Sequence, residues 1–382
     1  MKVPILLDFF RNSIQLLKWP FLASFLINFE SICVHMLSKF IKKDAQKLLI
    51  FPIKASFERS LFALLAIFCC GCNPPSSSSN VTKFAGTAMT IHYQITIGSP
   101  LTVVEHARIA QIIADTFSHV DQIYNCWNPE SELSHLNGLD ANCSASISSE
   151  LEALLQITEE VVKLSEGRFD PTVRSLQELW KQHLEADTTP NPEEITSLAS
   201  SLGWNQIHFS HGCFWKEQKC ITLDLGGIAK GYCVDLLAER LLAAGYPNLF
   251  VEWGGEIRTA GHHPEGRPWH LFISRFEDTN PTHAIAHLDL TNGALATSGD
   301  YFQHWNVKEK SFFHIFNPET KSPMVKGETT IASASVLAPT CTLADGLATT
   351  AMLFPSRAAA ELWAKKIQEI YPTVQFWFIS RE

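Results

Sequence analysis

The sequence predicts an α+β fold: a largely antiparallel sheet flanked by helices, in one compact domain over residues 82–382. Three observations lead there. Short β-rich runs are separated by turn residues, helical periodicities are interspersed without regular strand–helix alternation, and no internal repeat divides the chain. With 382 residues and 46% hydrophobic content the chain can bury a substantial core. A formal charge of -9 and the lack of a Lys/Arg stripe argue against nucleic acid as a partner, because such binders neutralise phosphates with clustered cations.

The first part of the chain reads as targeting sequence. It is basic and apolar over about seventy residues and is followed by a Ser/Pro-rich run from Asn73 to Asn80. Arg59, the apolar run Leu61 to Phe68, and Cys69-Cys70-Gly71-Cys72 have the order of a bacterial lipoprotein signal. Residues 1–72 are therefore expected to be a targeting region ending at a lipid-bearing Cys72, with 73–81 as a linker. Cys69 departs from the Leu or Val usual in such signals, and an uncleaved anchor is the alternative. The apolar run falls short of the roughly twenty residues that span a bilayer as a helix. Trp19 to Ile32 would add a second apolar segment, so translation is expected to start at Met36. The expected location is the exported, periplasmic side of the inner membrane.

Ala88 to Ile97 alternates and is β-branched, which predicts one strand. Val103 to Tyr124 is helical, with Val104, Ala107, Ile112, Phe117 and Val120 as its apolar face. Leu151 to Leu164 is a second helix ended by Gly167, and Asp170 caps a third that runs to about His183. Ile207–Phe209, Cys213–Lys216 and Cys220–Leu225 predict a three-stranded meander. Gly226-Gly227 follows, then a helix from about Ile228 to Ala244. Further strands are expected at Phe250–Trp253, Trp269–Ser274, Ala284–Leu290, Phe313–Phe316 and Ile331–Leu337, with a helix from about Thr340 to Leu353. The six cysteines after Cys72 lack CxxC spacing, which disfavours a thiolate metal site. Cys213 and Cys220 could face each other as a disulfide, but free thiols are the expectation.

Two segments carry chemistry. In Leu223-Asp224-Leu225-Gly226-Gly227-Ile228-Ala229-Lys230-Gly231-Tyr232, two glycines stand where extended chain becomes helix. There the first helical amides can receive an anion such as a diphosphate; a tight packing turn is the other reading. In Ala344-Asp345-Gly346-Leu347-Ala348-Thr349, the acid and the threonine lie four apart on one helix face and can meet one hard cation, Mg²⁺ being the natural guest. An acid that complements the helix dipole is the alternative.

Seven segments together resemble the ApbE flavin transferases from about Thr82 onward. They are Gly86-Thr87-Ala88-Met89, Trp127 to Asn137, Gly167 to Val173, Leu223 to Tyr232, Trp253 to Arg258, Ala296 to Tyr301, and the Asp345 helix, all in the family's order. The resemblance implies a bilobal catalytic domain that holds FAD as substrate and Mg²⁺ at the diphosphate, and moves FMN to a threonine of an acceptor protein with release of AMP. It places Ala229 (through its carbonyl), Asp345 and Thr349 on the metal. It places Met89, Trp127, Arg168, Phe169, Asp170, Gly226, Lys230, Tyr232 and Phe316 around FAD. Trp127 stands where many members have Tyr and keeps an aromatic face for stacking. His314-Ile315-Phe316-Asn317-Pro318-Glu319-Thr320-Lys321-Ser322-Pro323 is similar to a family segment whose histidine is the candidate catalytic base, although Asn317 replaces an acid and Lys321 a glycine. The acceptor implied is a subunit of a membrane redox pump such as the sodium-translocating NADH:quinone reductase. FAD hydrolysis to FMN and AMP, and flavin binding without chemistry, are the alternatives.

Overall fold

Seven strands with apolar side chains on both faces form the central sheet of the described residues. The structure of the protein, a computed structural model, describes residues 81–381 except positions 279 and 302. The targeting region, Cys72 and all but the last residue of the expected linker lie outside the described residues. Among the described residues no helix is long and apolar enough to cross a membrane.

The chain begins with the hairpin β1 (Thr82–Ala88) and β2 (Ile91–Ile97), followed by α1 (Val103–Tyr124), α2 (Glu132–Asn137), the short β3 (Ala145–Ser146) and α3 (Ser149–Leu164). A 3-10 turn at Pro171–Val173 enters α4 (Arg174–Glu185), and α5 (Pro192–Ser197) precedes the pair β4 (Ile207–Ser210) and β5 (Cys213–Lys216). Then come α6 (Ala229–Ala243), β6 (Leu249–Trp253), β7 (Glu256–Ala260), β8 (Trp269–Ile273), β9 (Ala286–Leu290), β10 (Gly293–Gly299), β11 (His304–Val307), β12 (Lys310–Asn317), β13 (Ser322–Val325) and β14 (Ser333–Ala338). The chain closes with α7 (Cys341–Ala351), α8 (Arg357–Ile370) and β15 (Gln375–Ile379).

The central sheet has the order β1-β2-β6-β7-β10-β14-β15, and each of its neighbouring pairs is antiparallel. Alternation across the pleat sends Leu249, Val251, Ala294, Ala296, Ala334 and Val336 into the main core beneath α6 and α7. The intervening Phe250, Ile257, Leu295 and Leu337 meet Trp269, Leu271 and Ile273 of the β8–β9 ribbon on the other face. A separate apolar cluster joins α4 to the β11-β12-β13 sheet through Leu176, Trp180, Phe312 and Phe316. The predicted α+β class with antiparallel pairing is what the structure contains.

Three local expectations change. Ala88 to Ile97 is not one strand, because Met89 and Thr90 both take positive φ, 46° and 67°, and turn the chain between the paired Ala88 and Ile91. Neither residue is the glycine or asparagine that announces such a turn. On α1, Val104 and Ala107 are exposed and the buried ridge is Ile109, Ile113, Thr116, Phe117, Val120 and Tyr124. The start of that helix is set by the Thr102–Glu105 capping box instead of by burial. Cys220 to Leu225 joins no sheet; β3 takes the third place beside β5. Part of its backbone is satisfied by side chains, with Asn137 bonded to both the amide and the carbonyl of Leu223 and Lys216 Nζ donating to the Ile221 carbonyl at 2.7 Å, and the Asp224 amide donates to the Pro171 carbonyl at 2.8 Å. The six cysteines from Cys126 to Cys341 are free, Cys213 and Cys220 among them.

Candidate functional site

The site forms at one end of the central sheet, where two tight turns lie side by side. Gly254 and Gly255, at φ 66° and 99°, make a two-residue turn between the paired Trp253 and Glu256, a conformation that glycine adopts without strain. The Gly254 amide donates to the His92 carbonyl at 3.2 Å, which binds this turn to the start of β2 beside Met89 and Thr90. Glu256 therefore enters the protein at a place decided by backbone geometry.

Lys230, in the first turn of α6, reaches this carboxylate: Nζ lies 2.6 Å from Glu256 Oε1 and 3.6 Å from Asp345 Oδ1. Both acids are 1% exposed. Burial works against the Lys230 ammonium, but Asp345 and Glu256 outweigh it and hold its pKa above the ordinary lysine value. Burial pushes the Glu256 carboxyl upward and the nearby Asp345 charge adds to it, with Lys230 opposing. Asp345 Oδ2 accepts the Gly231 amide at 2.9 Å, whereas Asp345 Oδ1 and Glu256 Oε2 are buried without a hydrogen-bond partner. One turn along α7, the Thr349 hydroxyl lies 3.1 Å from Ser298 Oγ of β10. Among the described residues no group of three His, Cys, Asp or Glu side chains converges as a metal cage. Even so, an orphaned carboxylate oxygen beside a hydroxyl is a hard-donor set, and it fits an ion such as Mg²⁺ that draws most of its shell from substrate and water.

Asp235 holds α7 in place. Its carboxylate accepts the amides of Cys341 and Thr342 at 2.9 and 2.8 Å and the Thr342 hydroxyl at 2.6 Å, and it takes Arg258 at 2.6 Å. An acid from α6 thus supplies the N-terminal cap of α7, aided by Thr340, and sets the height of Asp345 along the sheet.

Gly227 draws three of the sequence motifs together. A Cβ there would lie 2.9 Å from Phe169 Cε2 and 3.1 Å from Thr349 Cγ2, so only glycine lets Phe169 and Thr349 approach this closely. The Gly226 amide donates to Asp224 Oδ1 at 2.8 Å, and the Ile228 and Ala229 amides both donate to the Leu225 carbonyl. The free helix-start donors expected from the sequence are therefore largely taken by the chain itself. Arg168 stacks on Phe354 at 4.6 Å, and Asp170 caps the turn at Pro171 through Thr172. Burial raises the Asp170 pKa against those bonds. Trp127, 69% exposed, carries Arg174 at 5.1 Å from its ring centre.

His314 sits on β12 with Nδ1 buried and without a hydrogen-bond partner. Burial holds its pKa below the ordinary imidazole value, and the Lys230 charge adds to the effect. Asn317 replaces the family acid as a turn former, accepting the amides of Glu319 and Thr320, and Lys321 takes φ 51° where the family has glycine. Met89 lines a cleft of about 520 Å³ between the first hairpin and α1. Two residues point elsewhere: Tyr232 donates to the Glu150 carbonyl at 3.3 Å beside Tyr124, and Phe316 packs with Leu176 and Trp180. Sequence reasoning named no role for Glu256, Ser298 or Asp235. The first two lie inside motifs already recognised, and an acid amid the apolar positions of α6 was the available signal for the third.

The family model described as "ApbE family" matches residues 86–371. An FAD:protein FMN transferase of Chlamydia pneumoniae is 38% identical, covering 82% of this chain and 96% of the relative. One of Chlamydia muridarum is 37% identical over 76% and 90%. Among solved structures, the flavin transferase ApbE from Vibrio cholerae superposes with a TM-score of 0.68 at 26% identity, covering 79% of this chain and 94% of that one.

Proposed function

From the premise that the chain belongs to the ApbE family and is an FAD:protein FMN transferase, we propose that it acts with a divalent cation on a threonine hydroxyl of its acceptor. The observation that carries the metal reading is Asp345 Oδ1, buried without a hydrogen-bond partner and with only the Lys230 ammonium, 3.6 Å away, as a counter-charge. Asp345, Thr349 and the Ala229 carbonyl would hold Mg²⁺. When bound, the ion offsets charge on the diphosphate oxygens of FAD.

The chain's own residues then have separable tasks. Lys230 adds a second positive charge at the diphosphate. Trp127, Met89, Arg168, Phe169 and Asp170 border the flavin and adenine parts, and Gly226 borders the diphosphate and ribityl chain; Tyr232, bonded to the Glu150 carbonyl, and Phe316, packed on Leu176 and Trp180, would have to turn to join them. His314, kept neutral by burial, accepts the proton as the threonine oxygen forms its bond to the FMN-side phosphorus. The diphosphate bond breaks in the same exchange and AMP leaves.

Location and acceptor belong to this proposal as well: export with a lipid on Cys72, in reach of a flavin-carrying subunit of a membrane redox pump such as the sodium-translocating NADH:quinone reductase. The basic, apolar leader and its cysteine support it. The test is incubation of the protein with FAD, Mg²⁺ and a candidate acceptor, followed by mass spectrometry. An added FMN on a threonine, lost in Asp345→Ala with flavin binding kept, is expected; FMN and AMP released with no adduct would make the enzyme a hydrolase.

A further inference from the structure

Lys230 is shared unequally between its two acids. Its Nζ makes a short bond to Glu256 Oε1 at 2.6 Å and stands off Asp345 Oδ1 at 3.6 Å. Glu256 is anchored independently of the site, since the Gly254-Gly255 turn and the pairing with Trp253 decide where its side chain begins. Asp345 is equally fixed, by the Gly231 amide on one oxygen and by the Asp235 cap on its helix. Of the three charged groups only Lys230 has an appreciably exposed side chain, at 29% against 1% for each acid, and only it sits on a flexible stem.

An ammonium beside a carboxylate closes to a charge-assisted bond of roughly 2.7–2.9 Å unless something holds it back. At Asp345 the separation stays wider than that, and the group that competes for the ammonium is Glu256. We propose that Glu256 is a positioning residue that keeps the Lys230 ammonium off Asp345 Oδ1, so that this oxygen stays open to a divalent cation and the ammonium stays turned toward the anionic substrate. The inference rests on the reading that Asp345 holds the cation. Without Glu256, Asp345 is the remaining counter-charge; Lys230 closes onto it, masks the oxygen and withdraws from the diphosphate.

The sign of the effect on FAD separates this from simple electrostatics. Deleting an acid near an anionic ligand should tighten FAD binding through reduced repulsion, whereas withdrawal of Lys230 weakens it. The experiment uses full-length protein, FAD binding by flavin fluorescence in EDTA, and a separate titration with Mn²⁺ alone. Glu256→Ala is expected to lower both affinities about tenfold, the scale seen when residues supporting a metal ligand are removed. Adding Asp345→Ala to that variant frees Lys230 and is expected to restore FAD affinity in EDTA, a suppression that a merely damaged fold does not show. Unchanged or tighter FAD binding in Glu256→Ala, or no restoration in the double variant, overturns the proposal. If Glu256→Ala does not fold, Glu256→Leu, which keeps much of the bulk and offers the ammonium no acceptor, carries the same comparison. Wild-type Mn²⁺ affinity in the single Asp345→Ala variant would instead refute the metal reading itself.

Discussion

The amide of Gly231 donates to Asp345 Oδ2 at 2.9 Å, and a Cβ on that glycine would lie 2.3 Å from the Cys341 carbonyl oxygen. Helices α6 and α7 meet there with no side chain between them, so the bond that aims Asp345 depends on an atom that is absent.

Gly231→Ala should therefore force the two helices apart. A loss of stability of about 1–3 kcal/mol is expected, the usual range for overpacking, together with weaker Mn²⁺ binding as Asp345 is displaced. Urea denaturation and a Mn²⁺ titration on the same sample check both; an unperturbed variant would show that the helices can slide without consequence.

Asp235→Ala removes the acceptor of two α7 amides and the partner of Arg258. Stripping one member from a buried charged pair typically costs about 3–5 kcal/mol. Chemical denaturation should show a loss of that order, and a change below about 1 kcal/mol would mean that water replaces the carboxylate at the helix end.

His314 should keep transfer active at pH values where an ordinary imidazole, with a pKa of about 6.5, is already charged. Burial holds its folded pKa below that value, with Lys230 adding to the effect. Between the two pKa values the unfolded chain binds more protons than the folded one. The stability this group contributes is thus present above the unfolded value and lost as pH falls toward the folded one. A rate–pH profile whose acidic limb lies below about 6.5 in the wild type is expected. His314→Ala should transfer slowly with FAD affinity intact; loss of that affinity would make His314 a binding residue.

Trp127 is 69% exposed, with Arg174 and Lys181 lying 5.1 and 5.8 Å from its ring centre, and the flavin reading gives it an aromatic face for stacking. If that face stacks on flavin, Trp127→Ala should weaken FAD binding by about 0.5–1.5 kcal/mol or more, and Trp127→Tyr should keep most of it. Flavin fluorescence titration decides the matter, and equal affinities for the three proteins would remove Trp127 from the site.

Helices α1 and α3 are legible in the sequence because their apolar spacing repeats with the helical turn, and α6 because the Gly226-Gly227 turn marks its start. The Met89–Thr90 turn is not legible, since its residues carry side chains that such turns normally exclude. Cys220 to Leu225 has the composition of a strand, yet Asn137, distant in sequence, takes both backbone groups of Leu223 in place of a neighbouring strand. Within the site, Asp345 and Thr349 declare themselves by their four-residue spacing. Glu256 does not, because an acid after two glycines looks like an ordinary solvated turn until the fold buries it.

The residues alone determined the class of the fold and the family, and named most of the candidate side chains though not Glu256, because periodicity and ordered motifs are properties of a linear chain. Which of those side chains share a charge was decided by the tertiary structure. Lys230, Glu256 and Asp345 come from α6, β7 and α7, and only the packing of those helices on the end of the sheet brings one ammonium within reach of two buried acids.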